Sequence, residues 1–145
     1  MAVKRVLPVF LIILLIPVGY YLTSSGEDEN GPPTGIALEI DKSIYSPKDT
    51  MILTIVNNAE TNATTSYHFK LFRLNNGEWE EVPVNLMFIE VAVIIEPGKS
   101  WEQRIKLEDL DLEPGRYRIV KKVLIEGKKG SPTSLELQAE FEVSG

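Results

Sequence analysis

The stretch "LELQAEFEV", Leu135 to Val143, alternates without a fault. Leu135, Leu137, Ala139, Phe141 and Val143 fall on one phase; Glu136, Gln138, Glu140 and Glu142 fall on the other. A period of 2 places the two sets on opposite faces of a strand, one for a core and one for water. The same period recurs from Gly35 onward, and no amphipathic helical stretch of any length interrupts it. "IALEIDKS" and "WEQRIKL" alternate; in the second, Trp101, Gln103, Ile105 and Leu107 share a phase. "TMILTIVN" is apolar and β-branched on both phases, the pattern of a central strand buried on both faces.

Turn chemistry separates these runs. Pro47 in "YSPKD" presets φ, and Asp49 can bond its own backbone. Asn76-Gly77 is a hairpin signal, because a type I′ turn needs positive φ at both central residues. "ETNATTS" reads as a loop, "YHFKLFRL" and "LMFIEVAVII" as strands, "EPGKS" as a turn and "EDLDLEPG" as a longer corner. "RYRIVKKVLI" is a strand whose phase fails at Lys121, where an apolar residue is due; a bulge there is the expectation. The result is eight candidate strands, spaced as in an all-β sandwich or small barrel.

Residues 1–22 stand apart. Lys4 and Arg5 precede an uncharged apolar run from Val6 to Leu22. That run is at the short end of the roughly 17–25 residues a spanning helix needs. It exceeds the about 7–15 residues of a cleavable signal core, and no Ala-x-Ala site follows. Pro8 and Pro17 are tolerated in spanning helices. A retained signal-anchor is the reading, with a cleaved signal peptide as the alternative. The basic flank keeps the N-terminus cytoplasmic and sends the rest outside. Residues 23–34 form a flexible acidic Gly/Pro linker, and residues 35–145 form the folded domain. The chain has no cysteine, so the domain is no disulfide scaffold and no lipid-modified signal is available.

Charge narrows the partners. The chain carries 15 basic and 21 acidic residues; without Lys4 and Arg5 the remainder is 13 against 21, a net charge of −8. Such a surface repels nucleic acid and anionic lipid headgroups. The basic run Arg116, Arg118, Lys121, Lys122 faces a last strand rich in outward Glu, so cross-strand neutralisation is the plainer account of it.

Catalytic constellations are missing from the sequence. His68 is the one histidine, and zinc or copper would require further His or Cys ligands. Glu108, Asp109, Asp111 and Glu113 cluster, but without calcium-loop spacing. There is no G-x-S-x-G nucleophile elbow. The chain therefore reads as a non-enzyme with no cofactor and no metal. Asn62, in "NATT", is a candidate glycosylation acceptor. Trp101 shares a phase with core residues, whereas Trp79, flanked by Glu78, Glu80 and Glu81, is the candidate exposed contact. Gly115 and Tyr117 form a candidate structural corner: Gly115 relieves the turn, and the Tyr117 hydroxyl bonds the upstream backbone.

The succession "LEIDKSIYSPKDTMILTIVNNA", "YHFKLFRL", "NNGEWEEV", "EPGKSWEQRIKL" and "LEPGRYRIVKKV" resembles the immunoglobulin-like domains of bacterial and archaeal surface proteins and lipoproteins. In that family a Tyr-Ser-Pro-x-Asp turn precedes the second strand, asparagines end that strand, and a Pro-Gly-x-Tyr-Arg element opens the penultimate one. The likeness covers residues 35–143. It implies an immunoglobulin-like β-sandwich of seven to eight strands and no shared catalytic residues. It departs from the lipoproteins in lacking a lipobox cysteine, so an N-terminal helix would do the tethering. The expected function is a membrane-tethered or secreted interaction module whose partner is a protein or cell-envelope component. A small immunoglobulin-like protease inhibitor, faintly suggested by "YHF", is the alternative. A metal-binding enzyme ranks last.

Overall fold

The computed structural model describes residues 35–127 and 131–145. The N-terminal segment, the linker and the Lys128–Gly130 part of the last loop lie outside the described residues. Among the described residues no helix is long and apolar enough to cross a membrane.

The folded unit is all-β, and its described residues form ten strands in two sheets facing one another. The smaller sheet has β3 (Thr50–Asn57) between β1 (Ile36–Ile40) and β8 (Ser100–Lys106), both antiparallel to it. Its middle place accounts for the doubly apolar composition of β3. Met51, Leu53 and Ile55 are fully buried on the inner face, while Ile52, Thr54 and Val56 are half-buried on the other.

The larger sheet is built on β9 (Gly115–Ile125) and β10 (Thr133–Val143), paired antiparallel along eleven residues each. β2 (Ile44–Tyr45) adds in parallel to the far side of β10. On its other side β9 pairs with two short strands in succession, β4 (Ala63–Thr65) and β5 (Lys70–Asn75). These pair outward with β7 (Val93–Ile95) and β6 (Glu78–Val82), respectively. A single 3₁₀ turn, Leu107–Leu110, forms the corner before β9.

The core fills the space between the sheets. Phe141 stacks on Tyr117 with ring centroids 5.6 Å apart and meets the edge of Tyr45 at 5.6 Å. A fully buried Leu53 or Ile119 contributes about 1.5–3 kcal/mol through the apolar area it removes from water.

Several expectations are corrected. Among the described residues the strands number ten, because the two- and three-residue pairs β2 and β4 are too short to show a period. "ETNATTS" is not all loop: its Ala63–Thr65 part is β4. "YHFKLFRL" becomes a strand only at Lys70. "LMFIEVAVII" is a strand only over Val93–Ile95. The expected bulge is not in β9, whose register with β10 is unbroken through Lys121↔Leu137. It lies on the neighbour. β9 pairs Leu124 with Thr64 but Val120 with Lys70, so three residues of β9 oppose five on the other side, 65–69. The two extra residues buckle that chain where Lys121 bonds its carbonyls.

Candidate functional site

Lys121 is on the inward phase of β9 and has no exposed surface. Its ammonium donates to Ser66 O, to His68 O at 2.8 Å and to Gln103 Oε1 at 3.0 Å. Gln103, from the opposite sheet, donates its Nε2 to Tyr67 O at 2.8 Å. Three consecutive carbonyls, at residues 66, 67 and 68, are thus satisfied by inward side chains where ladder bonds are missing. The Trp101 ring lies 5.4 Å from the ammonium and packs edge-on against Tyr67 at 5.3 Å. No carboxylate hydrogen-bonds the Lys121 ammonium, and burial pushes it down to about 8. A lowered lysine is a feature of nucleophilic sites, but this one is closed off from any substrate. Its role is architectural: it holds the bulge and ties the two sheets together. Sequence reading missed it because an inward lysine breaks the pattern that defines a core; that phase failure was the one available signal.

The other candidate residues take the following places. Tyr117 is buried, and its hydroxyl donates to Glu113 O at 2.6 Å, four residues upstream. Burial pushes the phenol up from its ordinary range. At Gly115 a Cβ would stand 2.8 Å from Arg73 Nε. That guanidinium donates to Pro114 O at 2.8 Å, so the glycine makes room for Arg73 as it closes the corner. Tyr45 makes a similar bond on the other side of β10, at the same end of the sheet: its hydroxyl donates to Asp41 Oδ1 at 2.7 Å and accepts from Lys42 N at 3.0 Å. Asp49 folds back on its turn as expected, accepting from Ser46 N at 2.8 Å. That bond first, and Lys42 second, hold its carboxyl below the ordinary value.

Trp79 is half-buried and its ring face is taken: the Arg118 guanidinium sits 4.2 Å from its centroid. Arg118 also donates to Glu140 at 3.0 Å, and Arg116 donates to the same carboxylate at 3.4 Å. In the register Lys122 lies opposite Glu136, so Arg116, Arg118 and Lys122 face glutamates across the strand pair as expected, whereas Lys121, the fourth of the basic run, lies opposite Leu137 and turns inward. Trp79 thus keeps part of its surface in water while Arg118 stacks on its ring. Asn62 is half-buried just before β4, and its carbonyl accepts from Glu126 N at 3.4 Å. His68 is exposed, with its ring 4.6 Å from that of Phe88. Among the described residues no three His, Asp or Glu side chains gather as a metal site would need.

What sequence reading did not single out is the connection from β6 to β7. Residues 83–92, "PVNLMFIEVA", lie outside any ladder, and among the described residues no backbone hydrogen bond joins them to the rest of the domain. Leu86 and Phe88 turn inward, with Phe88 against Phe69 at 5.2 Å. Met87, Ile89 and Val91 turn out, at 100%, 61% and 51% exposure. A shallow depression of about 400 Å³ separates this ribbon from the bulge, lined by Thr65, Ser66 and His68 on one side and Phe88 to Ala92 on the other. On the neighbouring outer face Ile94 and Leu124, both exposed, flank Thr64 in one cross-strand row. Apolar side chains and open backbone therefore coincide along one edge.

Two sheets packed over an apolar core, closed by a tyrosine corner, define an immunoglobulin-like β-sandwich. The chain belongs to the bacterial Ig-like domain family, whose sequence model matches residues 32–142. Domains of this family are typically non-catalytic. No curated protein matches the chain. Among solved structures, a bacterial immunoglobulin-like domain from the M. primoryensis ice-binding adhesin is 10% identical, with a TM-score of 0.42 over 77% of this chain and 99% of that one. The soluble domain of PmoD from a Methylocystis species is also 10% identical, with a TM-score of 0.37 over 75% and 90%. A β-glucosidase from Listeria innocua is 14% identical with a TM-score of 0.34, and the match spans 77% of this chain but 16% of the enzyme. Likenesses this distant carry no function across.

Proposed function

We propose that this chain is a membrane-tethered, extracytoplasmic Ig-like module that acts by contact with a protein or cell-envelope component, without catalysis. Residues 1–22 serve as the signal-anchor and 23–34 as the linker. The observation that carries the contact role is the 83–92 segment, where Met87, Ile89 and Val91 are exposed together in a stretch that makes no backbone bond to the rest of the domain among the described residues. Isolated exposed apolar residues are ordinary, whereas a contiguous apolar stretch along an open edge is the surface a partner covers. The test of location is fractionation of cells expressing the full chain, followed by protease added from outside. The chain is expected in the membrane fraction and open to digestion; a soluble, protected chain would refute the tether. The test of contact is in-cell cross-linking of the full chain against Met87→Ser/Ile89→Ser/Val91→Ser. The wild type is expected to give a cross-linked species that the triple variant loses. An unchanged pattern removes the ribbon from the function.

A further inference from the structure

We infer that the depression beside Asn62 seats a sugar ring, and that this sugar is the first residue of a glycan carried on the Asn62 side chain. The glycan rests on the extracytoplasmic placement proposed above and adds a modification to it. Asn62-Ala63-Thr64 has the acceptor pattern N-x-[ST]. Asn62 stands just before β4, half-buried. Its backbone carbonyl accepts from Glu126 N, whereas its side-chain amide makes no hydrogen bond among the described residues. The fold leaves that nitrogen untied.

Asn62 shares a depression of about 460 Å³ with Ile94, Glu96, Lys99, Ser100 and Trp101. Small-molecule sites span roughly 300–1,000 Å³. This one lies where β7 turns into β8, and its lining is of two kinds. Trp101 and Ile94 offer apolar surface; Glu96, Lys99 and Ser100 offer acceptors and donors. A pyranose ring has the same duality, with a C–H face and a rim of hydroxyls. An apolar guest would strip water from Glu96 and Lys99 without replacing its hydrogen bonds.

The seat is formed in advance. Buried Asn57 donates its Nδ2 to Thr61 O at 2.9 Å and to Ile95 O at 2.8 Å, which pins the loop ahead of Asn62 to β7. Lys99 N donates to Glu96 O at 3.0 Å, and Lys99 O accepts from Asn57 N at 2.9 Å, which fixes the opposite wall. Pre-organisation lowers the cost of seating a ring. Attachment at Asn62 makes the contact intramolecular, so even weak sugar stacking is populated. The donor is an oligosaccharide linked through phosphate to a membrane lipid, acted on by a transferase. The sugar C1–O bond breaks, Asn62 Nδ2 bonds C1 and loses a proton, and the lipid phosphate leaves with the electron pair.

The test is peptide mass spectrometry of the full chain from the membranes of its own cells. The peptide holding Asn62 is expected to carry sugar mass, to lose it in Asn62→Gln and Thr64→Ala, and to keep it in Thr64→Ser. The seat is read from Trp101 in a Trp79→Phe background, where it is the one tryptophan. Acrylamide is expected to quench it less in the glycosylated chain than in Asn62→Gln. Equal quenching overturns the seat. An unmodified peptide overturns the glycan; if free glucose or N-acetylglucosamine then protects Trp101, the seat stands for a free saccharide, and if neither does, both fall. An unmodified chain that external protease still digests leaves the placement intact, whereas an unmodified, protected chain overturns the placement as well.

Discussion

Lys121 shows how a buried side chain and the path of a neighbouring strand fit together. A buried ammonium without a carboxylate needs neutral acceptors, and the carbonyls of Ser66 and His68 supply two of them only because the chain buckles there. Its depressed value has a definite consequence. The folded value, about 8, lies below the ordinary 10.5, so the unfolded chain holds the extra proton between those limits. Stability from this group therefore rises with pH through that window. Urea unfolding of the wild type is expected to gain on the order of 1 kcal/mol between pH 8 and 9.5, and Lys121→Met should lose that slope. At pH 7 Lys121→Met is expected to be less stable by about 2 kcal/mol, since three orphaned acceptors outweigh the relief of burying no charge. An unaltered slope in the variant would sink this account of the lysine. Tyr117→Phe tests the corner more simply: removal of its bond to Glu113 O should cost about 1 kcal/mol in the same assay. An unmoved midpoint would mean that the hydroxyl is replaced by water at no loss.

At the scale of elements, legibility followed length. β8 and β10, with seven and eleven residues, carry their periods plainly, and the hairpin between β5 and β6 carries its turn signal as plainly. There Asn76 and Gly77 adopt φ of 54° and 83°, the pair of positive values that the dipeptide announced. A Cβ at residue 77 meets nothing within 4 Å, so Gly77→Ala isolates the backbone cost. It should destabilise the domain by about 1 kcal/mol with the fold intact, as read by thermal melting. No change in the melting temperature would argue against a left-handed conformation at that residue. The connection from Pro83 to Ala92 was the least legible element. Its composition is that of a strand, and no local signal records that its neighbours, Ser66 to His68, have turned their carbonyls toward Lys121 and Gln103. A strand needs a partner with free ladder groups, and here the partner spent them on side chains.

For the whole molecule, two sheets drawn from distant parts of the chain close over one apolar core. From the sequence alone came the all-β class, much of the strand-and-turn succession, the immunoglobulin-like likeness and the cross-strand placement of Arg116, Arg118 and Lys122 against glutamates. Each follows from neighbours along one chain or from a period of 2, which local physics dictates. Only the tertiary structure decided that Lys121 lies inside, that the bulge belongs to the adjacent chain, that Arg118 stacks on Trp79 and that residues 83–92 stay unpaired. Those depend on which groups meet across the sheets, through hydrogen bonds between residues 18 to 55 positions apart, and a one-dimensional pattern holds no record of such meetings.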